Sequence, residues 1–152
     1  MAMDMRDQFY KHPQKIDPGA PAFLWVLIGV MAAIELPLAL SDSGWIGSDG
    51  WRMNVFLYGA FWPPLLGERF APLYPGQKAL MFLTHTLLHG SVVHFAMNSA
   101  VLLALGKGVA TFLGAGKTIL LLALSAVAGA AVFGLRSEER RVGKACMSRW
   151  PP

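Results

Sequence analysis

The sequence predicts an all-α membrane protein with three transmembrane helices and a long first loop at the membrane interface. Hydrophobic residues make up 55% of the 152 residues and charged residues only 14%, whereas a typical soluble protein carries about 25% charged residues. Three apolar runs of 18 to 27 residues are of the length that spans a bilayer, which takes roughly 20 residues, and polar or aromatic stretches separate them. A chain of this length has room for one domain.

The first element is a polar tail, residues 1–22, in which prolines oppose any long helix. We interpret it as a cytoplasmic tail, because a signal peptide would need an apolar stretch nearer the start than Phe23. The first apolar run, residues 23–40, holds one charge, Glu35. A carboxylate that faces lipid is costly, so we expect Glu35 to face the helix bundle, to be paired, or to lie near the outer surface. A structural role is favoured over a catalytic one, and the spacing does not identify a partner.

Residues 41–78 form a long connection that is rich in glycine, proline and aromatic side chains. Aromatic residues of this kind favour the membrane–water interface. Residues 51–61 predict a short amphipathic helix that lies in this interface and is broken by the Pro63–Pro64 pair.

The second span is predicted at residues 79–105 and is expected to end at the Gly-Lys-Gly sequence of residues 106–108. A connection containing Lys117 then leads to the third run, residues 118–135, whose many small residues predict close packing against other helices. Lys107 and Lys117 bracket this connection. The positive-inside rule therefore places it in the cytoplasm with the N-terminal tail, and residues 41–78 outside.

Three of the four histidines lie near the start of the second span. His85 and His89 are four residues apart, as are His94 and Asn98, so on a helix each pair would share a face. The five-residue step between the pairs rotates them onto different faces. Ser91 lies between them and is predicted to be the N-cap of a helix that runs to about residue 105.

The spacing His-x3-His-x4-His-x3-Asn, preceded by Phe-Leu-Thr and followed by an apolar run ending in Leu-Gly-Lys-Gly, resembles the second transmembrane segment of rhomboid intramembrane serine proteases. The resemblance implies a truncated rhomboid-like helical bundle over residues 23–135. It also implies that His94 and Asn98 stabilise an oxyanion, with His89 and His85 in support. Its implied partners are membrane lipids and transmembrane protein substrates, its implied location is the bacterial inner membrane, and it implies no metal or organic cofactor.

One part of the first loop departs from the family pattern. Many rhomboids carry a Trp-Arg pair just before the first motif histidine, where this chain has Leu80 and Met81. The Trp51–Arg52 pair lies far upstream. The usual role of the loop arginine is therefore not transferred to Arg52.

The character of the chain changes abruptly after Leu135. Residues 136–152 hold the only cysteine and resemble the conceptual translation of a DNA-sequencing adapter, so we interpret them as a non-native tail. The chain contains neither the Gly-x-Ser-Gly nucleophile motif of the family nor a later histidine base. We therefore expect an inactive fragment of a parent intramembrane serine endopeptidase.

Three other kinds of site are disfavoured. A metal site at the histidines is disfavoured because no acidic or cysteine ligand is nearby and because His94 is not on the same helix face as His85 and His89. Nucleotide binding by residues 114–118 fails because Thr111 stands where a phosphate loop requires glycine. Nucleic-acid binding is not supported by the net charge of +4, because most of this charge lies in residues 136–152.

An alternative from another functional class is a rhomboid-like pseudoprotease, which would bind transmembrane client proteins without cleaving them. Only the part of the gene that encodes the nucleophile and the base would separate the two interpretations. A Gly-x-Ser-Gly motif followed by a histidine argues for a protease, and the absence of both argues for a binding protein.

Overall fold

A computed structural model describes the backbone of residues 19–47, 50–67 and 70–147, and side chains as far as Ser137. Most of the predicted polar tail and the end of the predicted non-native tail lie outside these ranges. Every regular element in the described part is helical, which confirms the all-α prediction. The α-helices are α1 (Ala22–Asp42), α2 (Trp51–Gly59), α3 (Gln77–Thr84), α4 (Val92–Leu113) and α5 (Ala115–Met147), with 3-10 turns at Pro63–Leu66 and His85–Leu87.

Three of the described helices are long and apolar enough to cross a membrane. They are Ala22–Asp42, Val92–Leu113 and Ala115–Ser137, with mean hydropathies of 2.2, 1.5 and 2.3. At about 1.5 Å per residue, helices of this length cover the roughly 30 Å of a hydrocarbon core. The prediction of three transmembrane helices is confirmed.

The predicted boundaries of the second span are wrong at both ends. α3 and the His85–Leu87 turn precede the span and are separated from it by extended backbone at Leu88, so the span begins only at Val92. It then continues through Gly106 as far as Leu113 and ends at Gly114, whose φ of +78° suits glycine. The expected connection between the second and third spans is therefore a single residue.

Gly106 lies inside α4 because it is a packing position. A Cβ atom there would come within 2.9 Å of Leu24 Cδ2 on α1, and both residues are buried. A small residue lets two membrane helices approach closely, and van der Waals contact between such helices drives their association. The glycine therefore brings α1 against α4, and the helix continues past it.

α1 buries one stripe of its surface and exposes the rest. Leu24, Met31, Glu35 and Leu38 are all buried and recur at helical spacing on one face, which packs against α2 and α4. Exposed apolar side chains such as Trp25 cover the remaining surface, as expected where a helix meets lipid. Glu35 thus faces the bundle, as one of the sequence-based options required.

The predicted short helix of the first loop is present as α2. Its last carbonyl groups lack partners within the helix, as at any helix end. They accept hydrogen bonds from side chains in or beside α3: Gln77 Nε2 to Leu57 O at 2.7 Å, Tyr74 Oη to Tyr58 O at 2.9 Å and Thr84 Oγ1 to Gly59 O at 2.7 Å. These bonds fix α2 against the segment that carries the histidines.

Candidate functional site

The start of α4 is fixed by the predicted cap. Ser91 has extended backbone angles (φ −166°, ψ 160°), and its Oγ accepts a hydrogen bond from the backbone N–H of His94 at 3.2 Å. This is the usual contact between an N-cap side chain and the third helical residue. The cap prediction is confirmed, and it places His94 in the first turn of the span with Asn98 one turn later.

His94 and Asn98 lie on an exposed face of α4. Leu105 is exposed on the same side, whereas Ser99 and Gly106 belong to the buried side of the helix. Asn98 is six residues after Val92, or about 9 Å along the helix axis. The middle of the hydrocarbon core is about 15 Å from its edge. Counted from the start of the span, His94 is therefore close to the membrane surface, whereas Asn98 is nearer to the midplane.

His89 is 1% exposed and lies directly beside His94. Their ring centroids are 5.4 Å apart with an interplanar angle of 78°, and Phe95 packs on the His89 ring at 5.6 Å. Burial is the main cause that lowers the pKa of His89, and the charge that His94 can carry acts in the same direction, against a smaller effect of Glu35. Within the described residues, the buried Nδ1 of His89 has no hydrogen-bond partner.

His85 has different surroundings from the other two site histidines. Its Nδ1–H donates to Met81 O at 2.9 Å, and its ring lies 5.9 Å from that of Phe61. It also lines a cavity of about 280 Å³ together with Phe61, Gly129, Ala130 and Phe133. The structure thus brings His89 and His94 together, while His85 packs towards α5.

The sequence did not predict the part that Arg52 plays beside this site. Its guanidinium forms a two-point ion pair with Glu35, Nη1 to Oε2 at 2.8 Å and Nη2 to Oε1 at 2.9 Å. Its Nε donates to Asp42 Oδ2 at 2.6 Å, and Nη1 also donates to the backbone carbonyl of His89. The sequence did contain a signal for this ion pair. Glu35, a carboxylate in an apolar run, needs a partner, and the loop of residues 41–78 contains only three basic side chains.

Hydrogen bonding to Glu35, the largest influence, raises the pKa of Arg52, and burial only partly opposes it. The guanidinium therefore remains charged. No group of three or more His, Cys, Asp or Glu side chains that could hold a metal ion occurs in the part of the chain that the structure describes.

Together, the three apolar spans and the loop helices define an integral membrane protein of the multi-span helical class. Residues 76–147 match the family model of the Rhomboid domain, a range that includes α3, α4 and α5 with all three site histidines. This match, over just under half of the chain, supports a rhomboid family protein. No curated protein and no solved structure gives a significant match.

Proposed function

We propose that this chain is the N-terminal part of an intramembrane serine endopeptidase that cleaves transmembrane protein substrates. In this proposal His94 and Asn98 stabilise the oxyanion. His89 supports His94 through their ring contact, and His85 supports the fold around them. The N-terminus is cytoplasmic, residues 41–78 face the opposite side, and the site opens towards that side.

The observation that carries the proposal is the exposed polar pair on a membrane-spanning helix. His94 and Asn98 are one helical turn apart and exposed on α4, where lipid contact would be unfavourable for both side chains. Such a pair is expected where other protein segments or a water-filled cavity cover it. A water-filled cavity is also what peptide hydrolysis needs, because water must reach the bond.

The chemistry suits these two side chains. When a serine attacks a peptide carbonyl, the carbonyl oxygen becomes an oxyanion, and the amide N–H of Asn98 and an imidazole N–H of His94 can donate to it. Preorganised donors in a site of low dielectric constant contribute about 3 to 4 kcal/mol each to the stability of the transition state. No metal or organic cofactor is required by this reaction.

The nucleophile and the base come, in this proposal, from chain beyond residue 135. Ser43 lies in Ser-Asp-Ser-Gly and Ser125 in Ala-Leu-Ser-Ala, so neither has the Gly-x-Ser-Gly context. This chain is therefore proposed to be inactive, with residues 136–152 as its non-native tail. Its parent protein is proposed to carry the activity.

The first test is to sequence the source locus across the codons for Leu135 and Arg136. We expect an open reading frame that continues into a Gly-x-Ser-Gly motif and a later histidine. If residues 136–152 are instead encoded and followed by a stop codon, the protease proposal is wrong. The pseudoprotease that binds transmembrane clients then becomes the better interpretation.

The second test measures cleavage of a transmembrane substrate by the reconstituted parent protein. Asn98→Ala is expected to lower kcat by a factor of about 10² to 10³, the usual effect of removing one oxyanion donor. Ser99→Ala is the matched control, because this neighbouring side chain is on the buried face and its hydroxyl has no partner within the described residues. An equal loss in both variants would contradict the assignment of Asn98.

A further inference from the structure

Arg52 joins three separated parts of the chain. It lies on α2 in the first loop, and its hydrogen bonds reach Glu35 in the middle of α1, Asp42 at the end of α1 and the backbone carbonyl of His89 in front of α4. The Glu35 side chain is fully buried and that of Arg52 is 15% exposed. A planar guanidinium is well suited to such a junction, because its donors point in fixed directions.

A buried ion pair is a poor way to gain stability alone. Removing two charges from water costs several kcal/mol per ion, and a well-packed apolar pair of similar volume is often as stable or more stable. An apolar pair, however, cannot hold a backbone carbonyl. The contact from Arg52 Nη1 to His89 O is therefore the feature that the ion pair adds to the fold.

The His89 carbonyl is close in the chain to the proposed oxyanion donors. His89 is two residues before the Ser91 cap, which in turn binds the backbone N–H of His94. The His89 ring also packs edge-on against the His94 ring. A displacement of the His89 backbone would therefore alter both the start of α4 and the packing of the His94 side chain.

We propose that Arg52, oriented by Glu35, is a positioning residue that fixes the backbone at His89 and thereby the location of His94. Its catalytic consequence rests on the proposed function, whereas its effect on His89 does not. The first test therefore uses the full chain in detergent and measures no activity. It follows the reaction of each histidine with diethylpyrocarbonate at constant pH by peptide mass spectrometry.

In the wild-type chain we expect slow modification of the buried His89 and fast modification of the exposed His94, which serves as the internal reference. Arg52→Lys keeps the positive charge beside Glu35 but loses the fork that reaches both Glu35 and His89. Modification of His89 is expected to accelerate roughly tenfold to a hundredfold, as for the loss of one charge-assisted hydrogen bond. Unchanged protection of His89 in a folded Arg52→Lys chain would overturn the proposal.

Two further variants keep this test decisive. Glu35→Asp preserves both charges but shortens the carboxylate by one methylene, which draws Arg52 away from His89. We expect it to expose His89 even if Arg52→Lys fails to fold, and continued protection would count against the proposal. Asp42→Asn is the control, because the Asp42 side chain is 48% exposed and binds a different guanidinium nitrogen. It is expected to leave His89 protected, and exposure of His89 would contradict the role given to Glu35.

The catalytic consequence is tested by measuring substrate cleavage by the parent protein. Arg52→Lys is expected to lower kcat about tenfold or more with little change in KM, because it removes transition-state rather than substrate binding. In a His94→Ala background the same change is expected to have almost no further effect, because Arg52 acts through His94. Additive losses would show a general structural role. A parent without proteolytic activity would refute the proposed function and leave the His89 result unaffected.

Discussion

Glu35 is the buried charge on which the first loop depends. Glu35→Gln keeps the shape of the side chain but leaves the charged Arg52 guanidinium with one partly exposed carboxylate, Asp42. Breaking a buried ion pair by removing one partner costs about 3 to 5 kcal/mol, so a loss of this order in the free energy of unfolding is expected. Asp42→Asn removes the exposed partner and is expected to cost less than about 1 kcal/mol. Thermal unfolding in detergent tests both variants. Equal losses of stability in Glu35→Gln and Asp42→Asn would contradict the view that Glu35 is the more important partner of Arg52.

His89 gives the chain a dependence on pH. Its pKa is lowered in the folded state, whereas in the unfolded chain it titrates near the ordinary value of 6.5. Below that pH the unfolded state therefore binds more protons, and the free energy of unfolding falls as the pH decreases towards the lowered value. His89→Gln cannot ionise, so its thermal midpoint is expected to fall less between about pH 7.5 and about pH 5.5. Identical falls in the variant and the wild type would exclude His89 as the source.

At the scale of elements, local signals in the sequence were reliable and packing signals were not. The number of spans and the Ser91 cap were predictable, because hydropathy and capping depend on neighbouring residues. The end of α4 was not predictable, because a glycine such as Gly106 usually indicates the end of a helix. Its packing role becomes evident only in the folded chain, where Leu24 of α1 lies against it. The sequence also left the partner of Glu35 open among the three basic residues of the loop, since only the folded loop brings Arg52 to it.

The two glycines of α4 provide a matched test of this interpretation. A Cβ at Gly106 would meet Leu24 Cδ2 at 2.9 Å and Cδ1 at 3.2 Å, whereas nothing lies within 4 Å of a Cβ at Gly108. Gly106→Ala is expected to destabilise the chain by about 1 to 3 kcal/mol through overpacking. Gly108→Ala is expected to be neutral or stabilising by up to about 1 kcal/mol. A chain that tolerates both equally well would show that α1 and α4 are not held together at Gly106.

At the scale of the whole molecule, the polar residues on the exposed face of α4 are expected to lower the stability of the fold while they serve the proposed site. Glu35 and Arg52 form an ion pair inside the described part of the protein, whereas His94 and Asn98 are exposed on a helix face that also exposes apolar side chains such as Leu105. A side chain retained at such a cost is expected to serve a site rather than the fold. Replacing it should therefore have opposite effects on the stability of this chain and on the activity of its parent.

Asn98→Leu tests this opposition directly. In this chain the variant removes an amide from an exposed, largely apolar helix face, and a gain of about 1 to 3 kcal/mol in the free energy of unfolding is expected. In the parent protein the same change removes an oxyanion donor, so kcat is expected to fall by a factor of about 10² to 10³. Val101→Leu, an apolar exchange at an exposed position of the same helix, should leave both quantities nearly unchanged. A loss of stability in the Asn98→Leu chain would mean that the amide supports the fold of α4, and the exposed pair would no longer indicate a site.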